Sequence, residues 1–455
     1  MSFLNVQGPG VNRVWRSRSL LIAGAVICAC LIPFGVASAT PTSHRVRHHG
    51  GTRGGANHRG WVSTWAASPM AGSTGFSDQT VRNVIYTSVG GNSLRVQVSN
   101  TFGSAPLAVG GVSVGVVLDG AQLVPGTSHT VTFGGQTSIT VAAGAQVLSD
   151  PVTMSVPSLT ELAVSVYLPD ATGPATNHSD AQQINYIASG DHTGDADATA
   201  YTSRTGSWYF VDGVDVNSAS ADGTVVAFGD SITDGYLSLT GANARWPNYL
   251  ARRLNALFGS HAPGVVDEGI SGNRVLSDSS CFGVSAESRF ERDALSHPGV
   301  KAVILLEGIN DIGQAGDPDS GCTAPNNPNV TAAQIESGYR DLIAMAHARG
   351  VEIYAGTLTP FGGSNAIYGG YYGTAYGETL REQVNNWIRT SGAFDGVIDF
   401  AKVTQDPYNP QYLNPVYAAN SNSAYSIDDS LHPNDVGYEA MANAIPLRLL
   451  LGGRR

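Results

Sequence analysis

Thr224-Val-Val-Ala-Phe-Gly-Asp-Ser231 decides the fold of this chain. Five residues free of charge, rich in β-branched side chains, run into Gly229 and then into Asp230 and Ser231. That pattern is a buried strand followed by a tight exit, which puts a hydroxyl at the carboxyl end of the strand. Apolar runs of similar length recur at Gly264–Asp267, Lys301–Leu306, Val351–Gly356 and Val397–Phe400. Helical periodicity lies between them. Trp246, Tyr249, Leu250, Arg253, Leu254 and Leu257 share one helical face, and Leu380, Val384, Trp387 and Ile388 share another. Thr331 and Gln334 form a capping box that opens a helix, and Gly350 closes it. A last helix is predicted from about Asn434 to Leu450. Strands alternating with helices predict a parallel sheet covered on both faces: a flavodoxin-like, three-layer α/β/α domain over residues 221–455.

The preceding stretch has a different period. Leu94, Val96 and Val98 alternate with polar residues, as do Leu162, Val164, Val166 and Leu168. Thr130–Phe133 and Ser138–Val141 flank a Gly-Gly pair and read as a hairpin. No amphipathic helix is legible there, so residues 61–220 are expected to form an all-β sandwich of jelly-roll type.

The amino-terminal end reads as an address. Arg13, Arg16 and Arg18, the apolar run Leu20–Phe34 and the small-residue site Ala37-Ser-Ala39 predict a signal peptide over residues 1–39. Residues 40–60, rich in Gly, His and Arg, hold almost nothing that burial would stabilise and are expected to be disordered. The first sixty residues carry seven arginines and no acid, so the remaining chain has 25 − 7 = 18 basic against 36 acidic residues, a formal charge of −18. Such a surface argues against nucleic acid and against anionic lipid as partners. Export leaves Cys281 and Cys322 as an expected disulfide, whose loop of about 42 residues contributes roughly 4 kcal/mol in the chain-entropy model. No stable membrane insertion is expected once the signal is removed.

Asp429-Ser-Leu-His432 adds a carboxylate and an imidazole to Ser231. A serine hydroxyl needs a base within hydrogen-bond reach, and that base needs an orienting acid. Asp428, four residues from His432, is the rival for that acid. Four blocks occur in order: Gly229–Gly235, Gly269–Asn273, Gly308–Asp311 and Asp429–Pro433. With them, residues 223–452 resemble the SGNH (GDSL) hydrolase superfamily, with Ile232 where that name implies leucine. The resemblance implies Ser231 as nucleophile, His432 as general base and then acid, and Asp429 as its orienting carboxylate. It also implies an oxyanion hole built from the backbone N–H groups of Ser231 and Gly272 and the side-chain amide of Asn310.

The expected activity is that of a secreted serine esterase working through an acyl-enzyme, on short-acyl (O-acetyl) esters of carbohydrates. A lipase or lysophospholipase is the alternative, and a non-catalytic glycan-binding protein is the alternative of another class. The substrate partner is an ester, an acylated polysaccharide or a lipid. No cofactor and no metal are expected. Tyr368, Tyr371, Tyr372 and Tyr376, spaced by glycines, are the candidate substrate-binding rings.

Overall fold

In a computed structural model, residues 60–316, 328–419 and 429–451 are described. The expected signal peptide, residues 40–59 of the basic tail, Cys322 and Asp428 lie outside them. Strands Thr224–Gly229, Gly264–Gly269, Val300–Leu306, Glu352–Gly356 and Gly396–Ile398 form one parallel sheet. The first strand is second in the order, between Gly264–Gly269 and Val300–Leu306. That is the 2-1-3-4-5 order of flavodoxin-like sheets, whose switch point falls beside the first strand's carboxyl end. Val225 to Phe228 and Val303 to Ile304 are fully buried, as strands covered on both faces must be.

Two sets of helices flank the sheet. Trp246–Phe258 packs against Asp435–Ala444. Ala332–Ala348 packs against both Ala286–Asp293 and Ala375–Thr390. Both bonds of the Thr331/Gln334 capping box form, and Gly350 adopts φ +69° after the last turn of Ala332–Ala348. The final helix is shorter than its periodicity predicts. It stops at Ala444, before Ile445 and Pro446, and a 3-10 turn follows over Leu447–Leu451. Proline excludes the preceding residue from the helical region, which is why one run of apolar spacing becomes two elements.

The region before Thr224 is β-rich, with no helix among its described residues. One antiparallel sheet has the order Trp61–Ala66, Val211–Asn217, Gly91–Ser99, Gln146–Leu148, with Val152–Val156 also on Gly91–Ser99. A second is built around Gln79–Tyr86, Glu161–Leu168 and Gly111–Asp119. The alternating sets Leu94/Val96/Val98 and Leu162/Val164/Val166/Leu168 are all fully buried and share one core. The expected Gly-Gly hairpin is reduced to a single bridge, Phe133 to Gln136. Gly134 and Gly135 make the turn at φ +60° and +80°, but the flanking strands diverge: His129–Val131 pairs with Gly111–Asp119, and Ile139–Val141 with Leu107–Val109. Each strand pairs with a different strand of the β-rich region, and the local turn signal loses to those longer-range pairings.

The β-rich region meets the parallel sheet through its first strand. Thr224 Oγ1 accepts from Ser63 N at 3.0 Å, and Ser88 Oγ accepts from Val265 N at 2.9 Å. A Cβ on Gly264 would lie 2.0 Å from the Ser63 carbonyl, so the approach requires glycine. Buried residues of both regions belong to one apolar cluster.

Candidate active site

The exit of the first strand is built for close approach. A Cβ on Gly229 would lie 2.2 Å from the Leu306 carbonyl and 2.4 Å from Thr233 Oγ1. Asp230 then caps a one-turn helix, Ser231–Asp234, by accepting from Ile232 N at 2.9 Å. Gly235 ends that helix at φ +81°. Ser231 is its first residue, so its N–H has no intrahelical acceptor. Burial raises the Asp230 carboxyl to about 7, against the opposing Ile232 N–H bond and the nearby His432.

Asp429 and His432 are arranged by their own short loop. Asp429 Oδ1 accepts from the backbone N–H groups of Leu431 and His432, both at 3.0 Å. Ser430 takes φ +57°, a left-handed conformation uncommon for a non-glycine residue, and turns the chain between acid and imidazole. Asp429 Oδ2 then meets His432 Nδ1 at 2.6 Å, and His432 Nε2 meets Ser231 Oγ at 2.7 Å. A carboxylate only accepts, so Nδ1 carries the proton and Nε2 offers its lone pair to the serine hydroxyl. Burial pushes the Asp429 carboxyl up, but the His432 ring beside it and the backbone N–H groups of His432 and Leu431 outweigh burial and hold it at about 2. Asp429, Ser231 and His432 are 1%, 5% and 3% exposed, so the chain of bonds is shielded from water competition.

Gly272 and Asn310 come to the same end of the sheet. Gly272 sits at φ +78° with the Phe282 ring 2.4 Å from where its Cβ would be. Gln314 Nε2 donates to the Gly272 carbonyl at 2.8 Å, which fixes the peptide. Among the described residues, neither the Ser231 N–H nor the Gly272 N–H has an acceptor. Asn310 stands in the short helix Ile309–Gly313, just past the third strand. Its Nδ2 donates one hydrogen to the Asn273 carbonyl at 2.9 Å, and its Oδ1 accepts from the Tyr372 hydroxyl at 2.5 Å. Those two bonds fix which way the amide points and leave its second N–H hydrogen for a ligand. Asp311 braces the same loop by accepting from Val275 N and Leu276 N, at 2.8 and 3.1 Å. Burial, only partly offset by those bonds, lifts its carboxyl to about 6.

The four tyrosines separate into two pairs. Tyr372 is buried with its hydroxyl on Asn310, and Tyr368 donates to Asp429 Oδ2 at 2.9 Å while its ring stands 6.1 Å from the His432 ring. Burial raises both phenols, and for Tyr368 the Asp429 carboxylate adds to it. Tyr371 and Tyr376 pack edge to face at 4.9 Å, with Tyr376 exposed. Tyr236 lies outside the four sequence blocks, yet its ring stands 4.8 Å from His432. Its signal is positional, directly after the glycine that ends the Ser231 helix. Cys281 is disulfide-bonded.

Residues 227–440 match the GDSL-like Lipase/Acylhydrolase family. A lipolytic protein of the G-D-S-L family from Desulfitobacterium hafniense is 20% identical, with 50% of this chain and 98% of that chain covered and a TM-score of 0.33. An aryl esterase from M. smegmatis is 16% identical, covering 49% and 95%, with a TM-score of 0.36. A catalytic mutant of an acetylxylan esterase from Geobacillus stearothermophilus is 19% identical, covering 51% and 95%, with a TM-score of 0.36. No curated protein matches the chain. The protein is an ester-hydrolysing serine hydrolase. Among the described residues no helix is long and apolar enough to cross a membrane.

Proposed function

We propose that this chain is a secreted esterase that removes short acyl groups, O-acetyl above all, from carbohydrates. The observation that carries the mechanism is the unbroken bond chain from Asp429 through His432 to Ser231. Ser231 Oγ attacks the ester carbonyl as its proton passes to His432 Nε2. The carbonyl oxygen takes the negative charge and is met by the N–H groups of Ser231 and Gly272 and the free amide hydrogen of Asn310. One such donor is worth about 3 to 4 kcal/mol of barrier. His432 returns the proton to the alcohol oxygen as the C–O bond breaks, leaving an acyl-Ser231. Water then attacks, giving its proton to Nε2, and the acid departs as Ser231 recovers it. Asp429 stays ionised throughout and stabilises the imidazolium formed in each half.

Acyl length is argued from the tyrosines. Tyr372 and Tyr368 stand 5.5 Å apart, ring to ring, between Asn310 and His432, and this wall favours a small acyl group. Ile367 and Tyr376, both exposed, on the helices Asn365–Tyr368 and Ala375–Thr390, favour the longer-chain lipase alternative instead. Export rests on Arg13 to Ala39, with the Cys281–Cys322 disulfide and the β-sandwich as an accessory domain. The test is turnover of p-nitrophenyl acetate by wild type and Ser231→Ala; equal rates overturn the catalytic reading. A higher kcat/KM on the dodecanoate ester than on the acetate overturns the short-acyl reading.

A further inference from the structure

A second set of buried polar groups lies behind the first. His178 belongs to the β-rich region, on the short strand Thr176–His178. Its Nδ1 faces the Ser68 carbonyl at 2.9 Å and its Nε2 faces Asp234 Oδ1 at 3.1 Å. Both partners accept, so both ring nitrogens carry protons and the ring is a cation. Asp234 is the last residue of the helix that begins with Ser231. Its other oxygen, Oδ2, accepts from Ser271 Oγ at 2.8 Å, and Ser271 is bonded in sequence to Gly272. His178 and Asp234 are 4% and 2% exposed. Burial opposes the charge on His178, and Asp234 together with the Ser68 carbonyl outweighs it. The other charged groups around the pair are Asp180, Asp267 and Arg245, and Arg245 donates to the Asp234 carbonyl at 2.6 Å.

The two active-site segments are also forced together here. A Cβ on Gly269 would lie 2.2 Å from Asp234 N, so the strand ahead of Gly272 presses directly on the end of the Ser231 helix. At that junction one carboxylate ties the helix to the loop, and one histidine from the other region of the chain holds the carboxylate. We propose that His178 is a positioning residue for ester hydrolysis: through Asp234 and Ser271 it sets the Gly272 N–H relative to Ser231. This rests on the proposed role of Gly272 as an oxyanion donor. Losing the link does not remove a reacting group; it lets two segments shift that must be held to a fraction of an ångström.

The experiment uses the whole chain and p-nitrophenyl acetate, with kcat and KM measured separately. His178→Phe keeps the ring beside Trp208 but has no hydrogen bond to give, and His178→Gln keeps a donor for Asp234. The expected result is a fall in kcat of about tenfold for His178→Phe with KM unchanged, restored to within about twofold by His178→Gln. In a Ser271→Ala background, His178→Phe should lower kcat no further, because both changes cut one path. A full additional loss in that background overturns the proposal, as does an unchanged kcat in His178→Phe. A combined fall of kcat, KM and melting temperature that His178→Gln fails to restore also overturns it, since that marks a purely structural role. If His178→Phe does not fold, Ser271→Ala and His178→Gln decide alone: the former must lower kcat at unchanged melting temperature and the latter must stay near wild type. Ser231→Ala is run alongside. Full activity there sinks the catalytic reading itself, a result separate from any outcome at His178.

Discussion

Replacing Asp429 by asparagine should abolish most activity while leaving the site's shape intact. The reason is a forced tautomer. Asp429 Oδ1 takes two backbone donors, Leu431 N and His432 N, both at 3.0 Å. An asparagine must keep its carbonyl oxygen there, because its NH2 group would face two N–H donors. The NH2 then occupies the Oδ2 position, 2.6 Å from His432 Nδ1. A donor at that point requires Nδ1 to be unprotonated, so the proton moves to Nε2, which faces Ser231 Oγ at 2.7 Å. The base is thereby blocked. The Tyr368 hydroxyl, now a donor to Oδ2 at 2.9 Å, must turn to accept and reinforces the wrong tautomer. Wrong-tautomer losses of this kind are on the order of 10⁴ in kcat, about 5.4 kcal/mol of barrier. The assay is steady-state turnover of p-nitrophenyl acetate at pH 7.5, with circular dichroism as the folding control. A folded Asp429→Asn enzyme retaining more than about a tenth of wild-type kcat would refute the tautomer argument.

Gly272→Ala should lower kcat by about 10² to 10³, the loss of one oxyanion donor, because φ +78° is strained for alanine and the new methyl meets the Phe282 ring. An active alanine variant would remove Gly272 from the hole. Tyr372→Phe frees the Asn310 carbonyl and should cost about tenfold in kcat with KM held, measured on the same ester. Asp212→Asn should raise the melting temperature at pH 8 and leave it unchanged at pH 3.5. Burial lifts the Asp212 carboxyl from 3.8 to about 7, so the folded state holds its proton more tightly than the unfolded chain. The sign follows from that: the wild type keeps this contribution below about pH 4 and loses it as pH rises toward 7. Equal melting temperatures at pH 8 would contradict the prediction.

Much of the parallel sheet can be read from local patterns, because a strand buried on both faces needs an unbroken apolar run and its exit needs glycine. Thr224–Gly229, with Gly229 packed on Leu306, is such a case. The three-residue spacing of Asp429 and His432 likewise carries its own geometry, since the carboxylate caps the turn that delivers the imidazole. The tyrosines are different. Their glycine spacing suggests a surface, yet Tyr372 and Tyr368 turn inward onto Asn310 and Asp429, a direction set by the fold of the whole loop. The Gly134-Gly135 turn misleads for a related reason: it specifies a reversal but not which strands will pair. His178 has no legible signal. It is a lone histidine in a period-two region, and only tertiary contact brings it to Asp234, 56 residues away.

Arg289 connects the fold to a practical question about the gene. Its guanidinium is fully buried and donates to Ser68 Oγ at 2.9 Å, the Glu268 carbonyl at 2.8 Å and the Gly229 carbonyl at 2.8 Å. One of those acceptors comes from the connection after Trp61–Ala66 in the β-rich region, and two from the sheet that bears the nucleophile. Cutting the chain back to its hydrolase half would take away Ser68 and leave that side of the cation to Asp293 and Glu307, each at 3.5 Å, and to water. The two halves therefore share one buried cation, and a chain cut between them should melt at a lower temperature than the whole.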